Sequence, residues 1–153
     1  MPQVRVTTQI RAPIEVCFDL ARSVDLHIAS MSQTGERAVA GVTKGLIGLN
    51  EEVTWKATHF GIRQHLTSRI TLFQRPTLFR DSMVRGAFKR FDHDHLFTSI
   101  QGITTMTDVF DYTSPLGVFG RLADVLFLER YMRRLLTVRA EVIRTAAESV
   151  VPN

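Results

Sequence analysis

The sequence predicts an α+β domain in which a curved antiparallel sheet of about seven strands is packed against one long C-terminal helix, with two short helices after the first strand. Three observations carry this. Apolar residues alternate with a period of two in segment after segment up to about residue 113. Gly, Pro and Gln-Gly turns separate those segments at hairpin-like spacing. From about Leu116 the period changes to that of a helix, and the apolar arc of that helix spans well over half its circumference.

Each element follows from its residues. Val4, Val6, Thr8 and Ile10 alternate with Arg5, Thr7 and Gln9 to give a first strand. Ala12-Pro13 stops it, and Pro13 suits the first turn of a short helix over 14–21. A second short helix is expected over 23–31, with Ser23 or Asp25 near its N-cap, and a strand over 34–42. Gly41, Gly45 and Gly48 punctuate the connection to a strand over 49–60, where Val53, Trp55 and Ala57 oppose Glu52, Thr54, Lys56 and Thr58. After a turn at Gly61, Ile62, Leu66, Ile70 and Leu72 are expected on one face. Pro76 precedes a strand from Leu78, Gly86 interrupts it, and Gln101-Gly102 makes a hairpin turn. Pro115 and Gly117 end the sheet region. In the helical segment Arg130, Arg133, Arg134, Glu141, Arg144 and Glu148 share one polar side. Val125, Leu128, Met132, Leu135, Leu136, Val142 and Ile143 fill the apolar arc, into which Arg121 and Arg139 also project.

The chain has 153 residues, 44% hydrophobic and 22% charged, which is enough for one domain over 1–153 with a core that needs no disulfide staples. Cys17 is the single cysteine, so no intrachain disulfide and no cysteine-based zinc or iron–sulfur site can form. The net charge is +4, but Lys and Arg are spread along the chain without a block of like charge, and no nucleic-acid partner is expected. No secretory pattern and no apolar run of about 18 residues is seen, so the expected location is the cytoplasm, without an integral membrane segment.

The stretch 79–112 is the most informative. Phe79, Asp81 and Met83 share one strand face, as do Phe91, His93, His95 and Phe97, and as do Met106, Asp108, Phe110 and Tyr112. Burying an ionisable group without a partner costs several kcal/mol. Acids and imidazoles on apolar faces therefore imply either internal pairing or a cavity with reactive groups in its wall. His93 and His95, with Asp81 or Asp108, mimic a two-His, one-carboxylate metal site, but so short a motif is weak evidence and no metal is expected.

Phe79-x-Asp81-x-Met83-x-x-Gly86-x-Phe88, His93-x-His95-x-Phe97, Thr105-Met106-x-Asp108 and Tyr112-x-x-Pro115-x-Gly117, with His59-Phe60-Gly61 and Arg139, resemble the bacterial cyclase/dehydrase-like ligand-binding branch of the START-like (SRPBCC) superfamily. The resemblance covers essentially the whole chain. It implies the helix-grip fold and a hydrophobic cavity between sheet and helix, holding a lipid, polyketide-like or aromatic small molecule as carrier or sensor, with no cofactor. Trp55, Met83, Phe97, Met106, Phe110, Tyr112, Met132 and Arg139 are then the expected ligand-binding residues. Two alternatives stand beside it. One is a cyclase or dehydratase using Asp81, His93, His95 and Asp108 as acid–base groups, with carboxyls shifted toward neutrality. The other is a protein-interaction module, for which the wide apolar arc also leaves room for a homodimer. An internal Asp–His–Arg network, with Arg139 as partner, is the structural alternative for the same four side chains.

Overall fold

The computed structural model describes residues 2–152 apart from the side chain of Val125, so the placement of Val125 in the apolar arc lies outside the described residues. Strand β1 (Gln3–Ile10) is followed by helices α1 (Ile14–Ala21) and α2 (Val24–Ser30) and by a 3-10 turn, Ser32–Thr34. Six strands come next: β2 (Arg37–Gly41), β3 (Glu52–His59), β4 (Ile62–Gln74), β5 (Leu78–Arg85), β6 (Arg90–Ile100) and β7 (Ile103–Thr113). Helix α3 (Gly117–Ala123), a π-helical turn (Asp124–Leu128) and helix α4 (Glu129–Ser149) complete the order.

The strands form one antiparallel sheet in the order β1-β7-β6-β5-β4-β3-β2. Ser23 caps α2 by accepting a hydrogen bond from the Leu26 N–H at 3.2 Å, as its residue type suggests. Gln101 and Gly102 join β6 to β7 with φ of 51° and 77°. Two consecutive left-handed residues give the turn whose twist matches that of the strands it joins.

Two elements differ from expectation. β4 is broken by register shifts at Thr67/Ser68 and Ile70/Leu72. An extra residue flips every later side chain to the other face, so Leu72 turns outward while Phe73 turns inward, its ring 5.4 Å from that of Phe18. The C-terminal segment is not one buried helix either. The π turn inserts a residue and rotates what precedes it. Leu116, Val118, Phe119, Leu122, Leu126 and Phe127 all face solvent, Phe119 at 78% exposure, and Arg121 is exposed with them. On α4 the buried positions narrow to Leu136, Arg139, Ala140, Ile143 and Ala147, a stripe at helical spacing.

The sheet's concave face is covered in two ways. Toward one end α1 and the second half of α4 lie on it, and Ile10, Phe18, Phe79, Phe97, Met106 and Ile143 make a dense core. Phe18 sits at its centre, edge-on to Phe73, Phe79 and Phe97 at 5.3–5.4 Å. Such pairs add about 1 kcal/mol each to the burial of their area. A second cluster joins Val4, Phe91, Phe110, Tyr112 and Leu136. Between the clusters the first half of α4 stands off the sheet.

Candidate functional site

That gap is a cavity of about 320 Å³. Val53, Trp55 and Ala57 of β3 and Leu66 and Ile70 of β4 line one side, Met132, Leu135 and Leu136 of α4 the other, and Phe60 and Phe88 flank it. Polar side chains break this apolar lining at several points, Arg22, Gln64, His65, Ser68 and Arg139 among them, and three paired or clustered groups stand out. His27 of α2 meets Glu36 at 2.8 Å and stacks on Trp55 with ring centroids 4.2 Å apart. His59, at the end of β3, hydrogen-bonds Tyr131 of α4 at 2.6 Å. The third group is formed by Asp81, His93 and His95.

Strand register assembles that third group. Asp81 pairs across β5–β6 with His93, and His95 pairs across β6–β7 with Asp108, all on the concave face. Cross-strand neighbours and their diagonals are both within side-chain reach. The hydrogen bonds take the diagonals: His93 Nε2 donates to Asp108 at 3.1 Å and His95 Nε2 to Asp81 at 3.0 Å. His95 Nδ1 lies 2.8 Å from Asp108 Oδ1, close enough for charge attraction but off the line of a hydrogen bond. The two imidazoles are 3.9 Å apart, and the outer face of His95 stacks on Phe79 at 4.1 Å. Arg139 reaches in from α4. It donates to the Ala21 carbonyl at 2.6 Å and lies 3.9 Å from Asp108, closing an Asp–His–Arg network.

The environment sets the charges. Burial alone would raise the Asp81 carboxyl, but the His95 hydrogen bond and the imidazole charges outweigh it and hold the group at about 2. Asp108 is held lower still, the same burial being outweighed by two imidazole partners. Burial and the neighbouring His95 push His93 down, whereas the close Asp108 carboxylate and the bond that His95 donates to Asp81 overcome burial at His95 and raise it. Desolvation would raise Glu36, but its bond to His27 outweighs that and lowers it, while burial lowers His59. Both carboxyls therefore stay ionised rather than shifting toward neutrality, because each has imidazole partners in a site that would otherwise neutralise it.

Of the residues expected to bind ligand, Trp55, Phe110, Met132 and Arg139 line the cavity. Phe97 and Met106 do not: they lie beneath α1 in the dense core. Tyr112 is fully buried in the second cluster, and Met83 packs against that cluster behind the wall. All four point to the concave face as their parity requires, but the packing elements cover that part of it. Asp108 is likewise behind the wall and acts on the cavity only through the imidazoles. The sequence reading missed His27, Glu36 and Tyr131 altogether. Glu36 precedes β2 and carries no strand parity, and Tyr131 sits at the border of the helical apolar arc. Their one visible signal is residue type.

Solved structures with this architecture are numerous. TTHA0849 of Thermus thermophilus superposes with a TM-score of 0.74 at 20% identity, over 95% of this chain and 99% of that one. A START superfamily protein of Mycobacterium smegmatis gives 0.72 at 12%, over 97% and 99%. This chain has the START-like helix-grip fold. The Zhui aromatase/cyclase of Streptomyces sp. R1128 has it too, with a TM-score of 0.70 at 13% identity over 99% of this chain and 96% of that one. No protein-family model and no curated protein matches the chain. Among the described residues no helix is long and apolar enough to cross a membrane.

Proposed function

We propose that this chain is a single ligand-binding domain that holds a hydrophobic small molecule between the sheet and α4, as a carrier or sensor. The observation that carries the reading is the cavity itself: about 320 Å³, walled mainly by aliphatic and aromatic side chains, with a minority of polar side chains at separate points. That volume is at the lower end of small-molecule pockets, and apolar walls with a few placed polar groups are their usual composition. It suits a flat aromatic, a polyketide-like ring system or a short acyl chain. Structural neighbours described as a START superfamily protein and an aromatase/cyclase support the same reading. The reading places the chain in the cytoplasm, without a nucleic-acid partner, and a homodimer is compatible with it. In the acid–base alternative the two carboxylates, ionised near neutral pH, would orient and charge-balance the imidazoles, and proton transfer would fall to His93 and His95.

Trp55 is the only tryptophan and stands in the cavity wall, so its emission reports occupancy directly. Titration with a naphthyl or anthracenyl probe should quench it saturably with one probe per chain. Native mass spectrometry of protein purified without detergent should show a co-purifying mass that solvent extraction removes. A Trp55 emission that ignores every apolar probe, with no retained mass, would sink the reading.

A further inference from the structure

We infer that Asp81, His93 and His95 form a binding site for one divalent first-row transition-metal ion in the cavity wall. The inference rests on the geometry of the wall alone and holds whatever organic molecule the cavity takes. It replaces the sequence-based expectation of a metal-free pair of histidines.

The first argument is spacing. One ligand atom from each of the three residues lies within 4.8 Å of the others. Asp81 Oδ1 is 3.0 Å from His95 Nε2 and 3.6 Å from His93 Nδ1. An ion about 2.1 Å from each of two donors sets them roughly 3.0–3.4 Å apart for angles of about 90–110°. One separation thus falls in that range and the second just outside it, and with the third inside 4.8 Å the donors need only small side-chain adjustments to close on such an ion.

The second argument is the direction of the nitrogens. His93 spends Nε2 on Asp108, which leaves Nδ1 on the side of Asp81. His95 turns Nδ1 toward the same Asp108 oxygen, which leaves Nε2 on the side of Asp81. One carboxylate behind the wall thus addresses the far nitrogen of both imidazoles. Metal-bound histidines characteristically present their second nitrogen to a carboxylate in this way, which fixes the tautomer and aims the lone pair. His95 Nδ1 is also one of the few buried polar atoms, among the described residues, without a hydrogen-bond partner. Moving Nε2 from Asp81 to an ion frees the ring to turn Nδ1–H onto Asp108.

The third argument is charge and access. Asp81 and Asp108 offset the two positive charges of the ion, and Arg139, 3.9 Å from Asp108, adds one positive charge outside them. His93 and His95 are buried in protein, while Asp81 is partly open and all three line the cavity. Two imidazoles and one carboxylate suit iron(II), cobalt(II) or zinc(II) better than magnesium or calcium, which prefer oxygen. Three protein donors leave coordination positions that face the cavity, where a water or an oxygen of a bound molecule completes the shell. Among the described residues the other imidazoles of the cavity, His27, His59 and His65, belong to no such set of three donors, and His27 is engaged by Glu36 and His59 by Tyr131.

The test uses the full chain after treatment with a chelator. Cobalt(II) titration should give saturable visible d–d absorption with one ion per chain, and zinc(II) should displace it. Asp81→Asn and His93→Gln, checked for folding by circular dichroism, should each weaken cobalt binding by about 100-fold or more. Because a variant of a buried residue can fail to fold, the unaltered protein supplies a second readout. Bound cobalt should shift the imidazole N–H signals of His93 and His95 in proton NMR. Absence of saturable binding up to about millimolar cobalt, far weaker than a built site, overturns the inference. So does binding retained in folded Asp81→Asn, or shifted signals that belong to His27, His59 or His65.

Discussion

The two ends of the concave face are made from the same strands with the same alternation, yet one is a dense core and the other a cavity. Under α1, Phe18 fills the space between Phe73, Phe79 and Phe97. Under the first half of α4, Trp55, Leu66 and Met132 face each other across open volume. Strand parity decides only which face a residue points to. What lies over that face decides whether the residue becomes packing or pocket.

The comparison breaks most visibly at Phe18. Phe18→Ala should lower the free energy of unfolding by about 4 kcal/mol, because the surrounding rings cannot close the void. Trp55→Phe, at the open end, should cost under about 1 kcal/mol, since its neighbours already border empty space. Urea unfolding of the two variants reads the contrast, and equal losses would mean that the cavity is closed in solution. Next in size is the network that joins the two ends. Asp108→Leu strips His93 Nε2 of its hydrogen-bond partner and takes the nearby carboxylate from His95 and Arg139, and should cost about 3 kcal/mol, by the same measurement.

A pH series sharpens the comparison further. The Glu36 carboxyl is lowered in the folded protein, so its contribution is complete above the unfolded value of about 4.3 and is lost as pH falls through the folded value. Glu36→Gln should therefore reduce the fall in stability below about pH 4.3 while barely altering the packed end. Urea midpoints measured from neutral to acid pH check this. The smallest effect is expected outside both ends. Phe119→Ser on α3 removes a phenyl ring that already faces solvent, and thermal unfolding should move by no more than about 0.5 kcal/mol in equivalent free energy. A larger loss at higher protein concentration would instead show that a second copy covers this face.

Much of this was legible in the residues. Alternation located the seven strands, Gln101-Gly102 located the longest hairpin, and ionisable groups on apolar faces located Asp81, His93, His95 and Asp108. Other features needed three dimensions. The outward turn of Leu72 depends on a bulge that leaves no mark in a period-two pattern. The exposure of Phe119 and Leu122 depends on a π turn, which a projection at constant angle cannot represent. Met106 and Phe110 are equivalent by parity, and only the position of α1 makes the first core and the second cavity wall. The His59–Tyr131 pair joins strand β3 to helix α4 across 72 residues, and His27–Glu36 closes over the turn between α2 and β2, so neither falls on a single strand or helix period.

The Gln101-Gly102 turn has a consequence for how the site comes into being. His93, His95 and Asp108 all belong to the hairpin that it closes, and Asp81 is on the strand beside it. Three of the four residues are thus brought together by contacts close in sequence, which form before distant ones because the loop to be closed is short. We expect the polar cluster to be assembled in the folding transition state, with α4 arriving later as a cover. In kinetic terms, substitutions in the β6–β7 turn should slow folding, whereas a substitution such as Ile143→Val on α4 should chiefly speed unfolding. Stopped-flow folding that places Ile143, rather than the turn, in the early structure would reverse that order.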